Sequence, residues 1–291
     1  MLDFIQNILD GVMVGASYAL LGLGFTLVFG VMRRLNLSYG PTLTMGVYAG
    51  AWMSLQIHES LLLALCVSVL VSVIVGLLIE GICFKAVRSD NPLTSMVSAF
   101  AMWMVLEEII ILLTWGRLFP VENPTGLATF DIGGFMVRGD YFILFVSAVV
   151  LMGLIYWLIY KTAYGRAVRA IATHRKAARL MGINVARMSS TVFVLTSAFG
   201  GLVAFFIAAS LHQITPGFGL WATVKGLIVM ILGGIGSIPG AIIGGLLLGV
   251  IELQALWYLG GGYRDLVAFL VLFVFLVVCP RGILGAGEAR D

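Results

Sequence analysis

Long uninterrupted apolar segments recur along this chain, and they limit its fold more than any other feature. Two of them run from Leu61 to Ile79 and from Phe142 to Ile159. A bilayer core of about 30 Å takes about 20 apolar residues to cross as a helix. Neither run alternates apolar and polar residues, as the strands of a membrane barrel would. Because lipid tolerates only helices and closed barrels, the sequence predicts an all-α polytopic transmembrane helical bundle.

The apolar segments predict about eight or nine spans within a single transmembrane domain, residues 1–291. They run from Ile8 to Val31, Gly40 to Ile57, Leu61 to Phe84, Thr94 to Trp115, Tyr141 to Tyr160, Ser190 to Leu211, Val224 to Leu232, Ala241 to Leu259 and Leu266 to Cys279. The seventh is too short to cross alone, and a Gly-rich stretch follows it. A short or discontinuous helix is therefore expected near Val224–Pro239.

The composition excludes several classes of function. Only 11% of the residues are charged, against about 25% in a soluble domain. The formal net charge of +3 is small, and no basic patch interleaved with aromatics indicates nucleic-acid binding. The three cysteines form no C-x-x-C pair and the three histidines share no metal-ligand spacing. With no nucleophile motif and no Gly-Lys dipeptide for a phosphate loop, we expect no catalytic residue, no metal and no cofactor on this chain.

The basic residues predict the orientation, because Lys and Arg in short loops stay in the cytoplasm. Seven basic residues and no acidic one lie between Lys161 and Arg187. With that loop inside, Arg33–Arg34 and Lys85 fall on the same side. The N-terminus is then outside and the C-terminus, after Arg281, cytoplasmic.

Many of the 36 glycines recur at four-residue spacing. Examples are Gly11/Gly15 and Gly245/Gly249. Small residues at this spacing let helix backbones approach closely in lipid. Tight packing is the plain interpretation, and a seam that slides during transport is the alternative.

Ionisable residues inside apolar runs are candidates for function, since a charge at mid-membrane costs about 2.5 to 3.5 kcal/mol. Glu107 and Glu108 lie just past the middle of the fourth run, on different faces of one helix. At most one of them is expected to face a given polar pathway, and hydrogen bonding to a neighbouring helix or a partner subunit is the alternative. Glu80 and Glu252 are interpreted as interfacial residues near helix ends, and Lys225 as the aqueous end of the short segment.

The segment at about 161–188 reads as one or two short amphipathic helices with a stop at Gly182. Two interpretations fit its basic face. It lies on anionic lipid headgroups, or it docks into a groove on a cytoplasmic partner.

Four motifs in order along the chain resemble those of the permease subunits of ABC importers, in particular the H-type permeases of the Liv-like branched-chain amino-acid family. The loop motif is Ala177-Ala178-Arg179-Leu180-Met181-Gly182-Ile183-Asn184. The others are Gly15-Ala16-Ser17-Tyr18-Ala19-Leu20 with Leu35-Asn36-Leu37-Ser38-Tyr39-Gly40, Gly233-Gly234-Ile235-Gly236-Ser237-Ile238-Pro239-Gly240-Ala241, and Tyr263-Arg264-Asp265 with Pro280-Arg281-Gly282. The chain departs from the family at His174-Arg175-Lys176, where an acidic residue is usual, and at Leu37-Ser38-Tyr39, where Phe-Ala-His is common.

The resemblance implies a permease subunit of a binding-protein-dependent importer in the bacterial inner membrane. Its expected partners are a second permease of the M type, two ATP-binding subunits that hydrolyse ATP with Mg²⁺, a periplasmic or lipid-anchored binding protein, and membrane lipid. The residues implied for ATPase coupling are Ala177, Ala178, Arg179, Leu180 and Gly182, and those for the translocation pathway are Asn36, Ser38, Tyr39 and Glu107.

Other substrates and mechanisms stay open at this stage. Similar permeases handle urea, short amides or other amino acids. A proton-coupled secondary carrier would use Glu107 or Glu108 as a relay and need no partner. A passive channel is disfavoured because the span count is too high.

Overall fold

The computed structural model describes residues 2–56, 61–87, 92–121, 129–132 and 135–285. In these ranges the chain forms eleven α-helices: α1 (Leu2–Met32), α2 (Tyr39–Gln56), α3 (Leu61–Ile79), α4 (Pro92–Thr114), α5 (Gly139–Lys161), α6 (Ala163–Thr173), α7 (Arg175–Leu180), α8 (Val185–Ser210), α9 (Phe218–Gly233), α10 (Ile238–Leu259) and α11 (Arg264–Val278). A π-helical turn, Glu80–Lys85, extends α3, and a 3₁₀ turn, Gly261–Tyr263, precedes α11. The strands are short: β1 (Phe119–Pro120), β2 (Phe130–Ile132), β3 (Phe135–Val137) and β4 (Gln213–Ile214).

The apolar helices confirm the predicted fold class. Seven of them, α1, α3, α4, α5, α8, α10 and α11, are long and apolar enough to cross a membrane, counting the turns that extend α3 and α11. Together with α2 and the shorter α9, they correspond one by one to the nine apolar segments of the sequence. The predicted start of the short helix near Val224 is wrong, however, because α9 begins at Phe218.

Helix α1 is the central element of the bundle. It packs against α10, α9, α8 and α5, and its side chains Tyr18, Leu21 and Leu23 are fully buried. Helices α2 and α3 pack together and against α8. Helices α4 and α11 lie at the periphery, and most of their large apolar side chains are exposed, as expected for surfaces that face lipid or a partner.

The glycine spacing produces the close contact between α1 and α10. A Cβ added at Gly15 would lie 2.8 Å from the backbone O of Gly245, and one added at Gly11 would lie 2.7 Å from the Cα of Val250. Real Cβ atoms do not approach that closely, so the two backbones touch. This confirms tight packing at the pairs Gly11/Gly15 and Gly245/Gly249.

A glycine turn joins α9 to α10. Gly234 and Gly236 have φ of +101° and +85°, a region that favours glycine because it has no Cβ. Ser237 then caps α10, its hydroxyl accepting from the backbone N–H of Gly240 at 3.1 Å. The Gly-rich stretch is therefore a tight hairpin between two antiparallel helices.

Contacts between loops define the two ends of the bundle. β1 pairs antiparallel with β4 at one end. At the other, the Arg33 guanidinium donates to the carbonyl of Ala172 in α6 at 2.9 Å. The second end, which also carries Arg34, Lys85 and α7, is called the basic end below.

Candidate coupling loop and polar sites

A short projecting helix forms the tip of the loop at the basic end. The His174 side chain caps α7 by accepting from the backbone N–H of Ala177 at 3.4 Å. Gly182 has φ of +82°, and the N–H of Ile183 donates to the carbonyl of Ala178 at 3.1 Å. The positive φ ends α7 and reverses the chain, which is the turn the sequence predicted at Gly182.

The side chains of α7 divide into a buried and a projecting set. Ala178 is buried, whereas Leu180 is 89% exposed and Met181 82% exposed. Two adjacent apolar side chains held out on a rigid turn are unusual on a free surface and typical of a contact with another protein. Ala177 and Arg179 are exposed beside them.

Positive charge is concentrated around this tip. Burial, and then the nearby guanidinium groups of Arg179 and Arg34, lowers the pKa of Arg175. Three guanidinium groups within electrostatic range favour an acidic partner or anionic lipid at this surface.

Beyond the tip, the loop continues directly into a long transmembrane helix. The Asn184 Oδ1 caps α8 by accepting from the backbone N–H of Arg187 at 3.1 Å. α8 then runs to Ser210 and buries much of its surface between α1, α2 and α3. Four residues, 181–184, therefore link α7 to a helix of the bundle core.

The three pathway candidates at the start of α2 lie inside the packed bundle. Ser38 Oγ donates to the carbonyl of Ala99 in α4 at 2.5 Å, and the Tyr39 hydroxyl donates to the carbonyl of Thr196 in α8 at 3.1 Å. Asn36 is buried, and its Oδ1 has no hydrogen-bond partner among the described residues. In this conformation Ser38 and Tyr39 join the start of α2 to α4 and α8, and the role of all three residues in a pathway stays a prediction.

The two adjacent carboxylates of α4 have different environments. Glu107 is partly buried, and its Oε2 accepts from the Trp103 indole N–H at 2.7 Å. Glu108 is exposed between large exposed apolar side chains such as Val105, Ile109 and Leu112. The expectation that the pair point to different faces of one helix is confirmed.

A buried ionic cluster between α1, α9, α10 and α11 was missed in the sequence. Lys225 Nζ lies 2.5 Å from Glu252 Oε1 and 2.8 Å from Asp265 Oδ1. Glu252 Oε2 accepts from Arg264 Nε at 3.1 Å and from the Tyr18 hydroxyl at 3.0 Å, and the Arg264 guanidinium also donates to that hydroxyl. We call these five residues the ionic cluster.

The interpretations of three charged residues are therefore wrong. Lys225 and Glu252 were placed at aqueous helix ends, but their side chains are 2% and 0% exposed. Glu80 was also interpreted as interfacial, yet it is fully buried. Its partners are Lys85 and Ser190. The signal that was available for the ionic cluster is the Tyr263-Arg264-Asp265 motif, two charges that open an apolar helix.

One small pocket lies within the described bundle. A pocket between α1, α5 and α8 has a volume of about 10 Å³ and is lined by apolar side chains that include Leu27, Ile155 and Phe199. This is about the volume that one water requires. No three His, Cys, Asp or Glu side chains in the described ranges are grouped as metal ligands would be.

Sequence comparison decides the family. The family described as branched-chain amino acid transport system / permease component matches residues 7–276. The chain belongs to this family. This permease is accordingly a multi-pass membrane protein and a transport subunit, not an enzyme, as the sequence predicted.

Curated relatives match over nearly their whole length. The high-affinity branched-chain amino acid transport system permease protein BraD of Pseudomonas aeruginosa is 31% identical, with 99% of this permease and 97% of BraD covered. The corresponding protein LivH of Escherichia coli K12 is also 31% identical, with 99% and 98% covered. These matches confirm the resemblance that the motifs indicated.

Solved structures show the same fold at low identity. PsaBC from Streptococcus pneumoniae, determined in complex with Fab, has 15% identity and a TM-score of 0.55, with 96% of this permease and 92% of that chain covered. A putative metal-chelate type ABC transporter in an inward-facing conformation has 17% identity and a TM-score of 0.56, with 94% and 84% covered. The likeness shows that this permease shares its fold with these two chains.

Proposed function

We propose that this permease translocates branched-chain amino acids inward as one of two membrane subunits of an ATP-driven importer. The observation that carries the proposal is the full-length similarity to permeases named for that transport. The polar groups expected on such a pathway are few, because selectivity is supplied by a separate binding protein.

The proposed partners are a second permease of the M type, two ATP-binding subunits and a periplasmic or lipid-anchored binding protein. ATP and Mg²⁺ bind to the ATP-binding subunits, since this chain has no phosphate loop. Residues 1–291 then act as one permease domain in the bacterial inner membrane. The basic end faces the cytoplasm, in accord with the retention of Lys and Arg on that side, and places the N-terminus outside and the C-terminus inside.

The loop at about 161–188 is the proposed contact with the ATPase. Leu180 inserts into a groove of the ATP-binding subunit, the small Ala177 and Ala178 allow close approach, and Gly182 sets the turn. The exposure of Leu180 and the positive φ of Gly182 support these roles. Arg179, which is exposed next to Leu180, pairs with an acidic side chain of the ATPase.

The proposed pathway runs between the two permeases, along α4. The described interior of this chain is closely packed, and an exposed carboxylate on an apolar helix is costly in lipid. Covering the Glu108 face of α4 with the second permease removes that cost. Glu107, about 100° further round the helix, then lies at the edge of the contact and faces the path. Asn36, Ser38 and Tyr39 supply hydrogen-bonding groups at the basic end of α2 when the helices separate.

The test is reconstitution with the native partners. The tagged permease is purified in mild detergent, its associates are identified by mass spectrometry, and the complex is placed in proteoliposomes with its binding protein. We expect ATP-dependent leucine uptake that excess isoleucine or valine suppresses and urea does not. A matched complex with ATPase subunits that bind but do not hydrolyse ATP is the control. Uptake of urea or a short amide in preference to leucine would reject the substrate, and uptake by the permease alone driven by a proton gradient would reject the importer.

A further inference from the structure

The cytoplasmic end of α3 is joined to the start of α8 by three polar side chains, which no motif of the sequence indicated. Glu80 Oε1 lies 3.0 Å from Ser190 Oγ, and Glu80 Oε2 accepts from Lys85 Nζ at 3.1 Å. Lys85 Nζ also donates to Ser190 Oγ at 2.9 Å. The three groups therefore close a triangle across two helices.

The π-helical turn brings Glu80 and Lys85 together. In an α-helix, residues five apart point about 140° away from each other. Here the backbone bonds span five residues, as between the N–H of Ala86 and the carbonyl of Gly81 at 2.9 Å, and Lys85 lies over Glu80. A π-helical turn is rare, and this one ends α3.

The other end of the contact lies next to the proposed coupling loop. Ser190 is in the second turn of α8, which begins at Val185 immediately after the Gly182 turn. Its single hydroxyl hydrogen can be donated either to Glu80 or to the carbonyl of Ala186, 3.1 Å away. The contact with α3 can therefore open and close without leaving Ser190 unpaired.

Below this contact, α3 and α8 are packed too closely to slide freely. A Cβ at Gly201 would lie 2.6 Å from Ser72 Oγ, and one at Gly76 would overlap Ser197 Oγ. Ser72 in turn fills the space beside Gly46 of α2. A displacement of the first turns of α8 is thus passed to α3 and then to α2, which carries the proposed pathway residues at its start.

A carboxylate at position 80 is not needed merely to hold α3 and α8 together. Glu80 is fully buried, whereas the side chain of Lys85 is 50% exposed. Burying a carboxylate whose cationic partner is half exposed costs free energy. A neutral amide at position 80 would fill the same space and bond the same hydroxyl without that cost. The half-exposed Lys85 side chain can turn out into water, so its ion pair with Glu80 can break.

We propose that Glu80 is a positioning residue that, through Ser190, transmits movement of the coupling loop from α8 to α3, so that ATP hydrolysis is linked to opening of the pathway. This inference rests on the proposed importer function. It assigns to Glu80, Lys85 and Ser190 a role in coupling and not in substrate binding or in ATPase docking.

The test compares two ratios in proteoliposomes that contain the whole transporter. For Glu80→Gln we expect assembled complexes whose binding-protein-stimulated ATP hydrolysis is nearly unchanged, while substrate taken up per ATP falls about tenfold, a typical allosteric coupling. The matched control is Asp140→Asn, which removes another ion-paired carboxylate, 2.6 Å from Arg138, far from α7. A purely structural role of Glu80 predicts that uptake and hydrolysis fall together with the amount of complex, and that result would overturn the proposal.

A second variant keeps the test decisive if Glu80→Gln does not assemble. Ser190→Ala removes only the hydroxyl and is expected to lower the uptake per ATP about threefold; an unchanged ratio would then overturn the inference. The wild-type complex separates the two proposals. If it imports an amino acid other than leucine, the substrate assignment fails and the ratios are measured with that amino acid. If the wild-type complex imports leucine and the variants take up as much leucine per ATP, only the proposed role of Glu80 fails.

Discussion

Lys225 and Glu252 form an ion pair of 2.5 Å in which both side chains are almost completely buried. The ionic cluster that surrounds them contains two cations, Lys225 and Arg264, and two anions, Glu252 and Asp265. Its formal charge is therefore balanced, which is the condition under which charges are retained among apolar helices. Because its members come from four helices, it fixes the position of α11, which buries little of its own surface, against the core.

Replacing Lys225 by Met should destabilise the folded permease strongly. The change leaves Glu252 and Asp265 with a single cation, and removing one partner of a buried pair costs about 3 kcal/mol or more. Unfolding by heat or denaturant is measured in detergent, and the readout is the loss of monodisperse protein. The comparison variant is Asp265→Asn, whose side chain is 64% exposed and whose loss should cost about 1 kcal/mol or less. Unfolding of Lys225→Met at the wild-type temperature would contradict a stabilising role of the ionic cluster.

The contact between α1 and α10 makes a second prediction about stability. Gly249→Val places a branched side chain against the backbone of Gly15 and Gly11, so we expect a loss of about 1–3 kcal/mol or failure to fold. Gly153→Val is the matched control, since Gly153 is also helical and a Cβ there would meet nothing within 4 Å. Both changes alter helix propensity equally, and stability is compared by size-exclusion after heating. If the two variants lost their structure at the same temperature, the contact between α1 and α10 would have adapted to the added side chain.

Much of this fold could be predicted, because a helix that crosses a membrane is recognised from the length and hydropathy of its segment. Nine apolar segments correspond to nine helices, and the four-residue spacing of Gly11 and Gly15 predicted a close helix contact, although not that α10 is the partner. The turn at Gly182 was predictable for a local reason, since glycine is the residue that ends a helix with positive φ.

The ionic cluster could not be predicted, because its chemistry depends on residues far apart in sequence. Lys225 was assigned to a helix end, although α9 begins at Phe218 and places it mid-helix. Hydropathy alone treats a charge as a reason to end a span, and only the packing of α10 and α11 reveals the compensating carboxylates. The contact of Glu80 with Lys85 and Ser190 could not be predicted either, since a π turn leaves no clear mark in sequence.

The coupling loop can be tested by adding a side chain at its turn. In Gly182→Asp the positive φ costs about 1–2 kcal/mol, and a negative charge appears beside the exposed Leu180. We expect the complex to assemble while ATP-driven uptake is lost. Gly116→Asp is the control, because Gly116 has φ of +65° and open space around it but lies at the opposite end of the bundle. Normal uptake by the Gly182 variant, or equal loss in both, would remove α7 from the coupling mechanism.

The two carboxylates of α4 allow the proposed pathway to be mapped. Glu107 and Glu108 are replaced one at a time by Cys, with Cys66, Cys83 and Cys279 changed to Ser, and the assembled transporter is treated with a membrane-impermeant maleimide. A Cys at 107 should react, and substrate should slow the reaction, because the proposed water-filled path passes this position. A Cys at 108 should be protected, because the proposed contact with the second permease covers its face. The reverse pattern would move the pathway to the Glu108 face. Protection of both positions in every state would place the path away from α4, since a thiol reacts with such a reagent only where water reaches it.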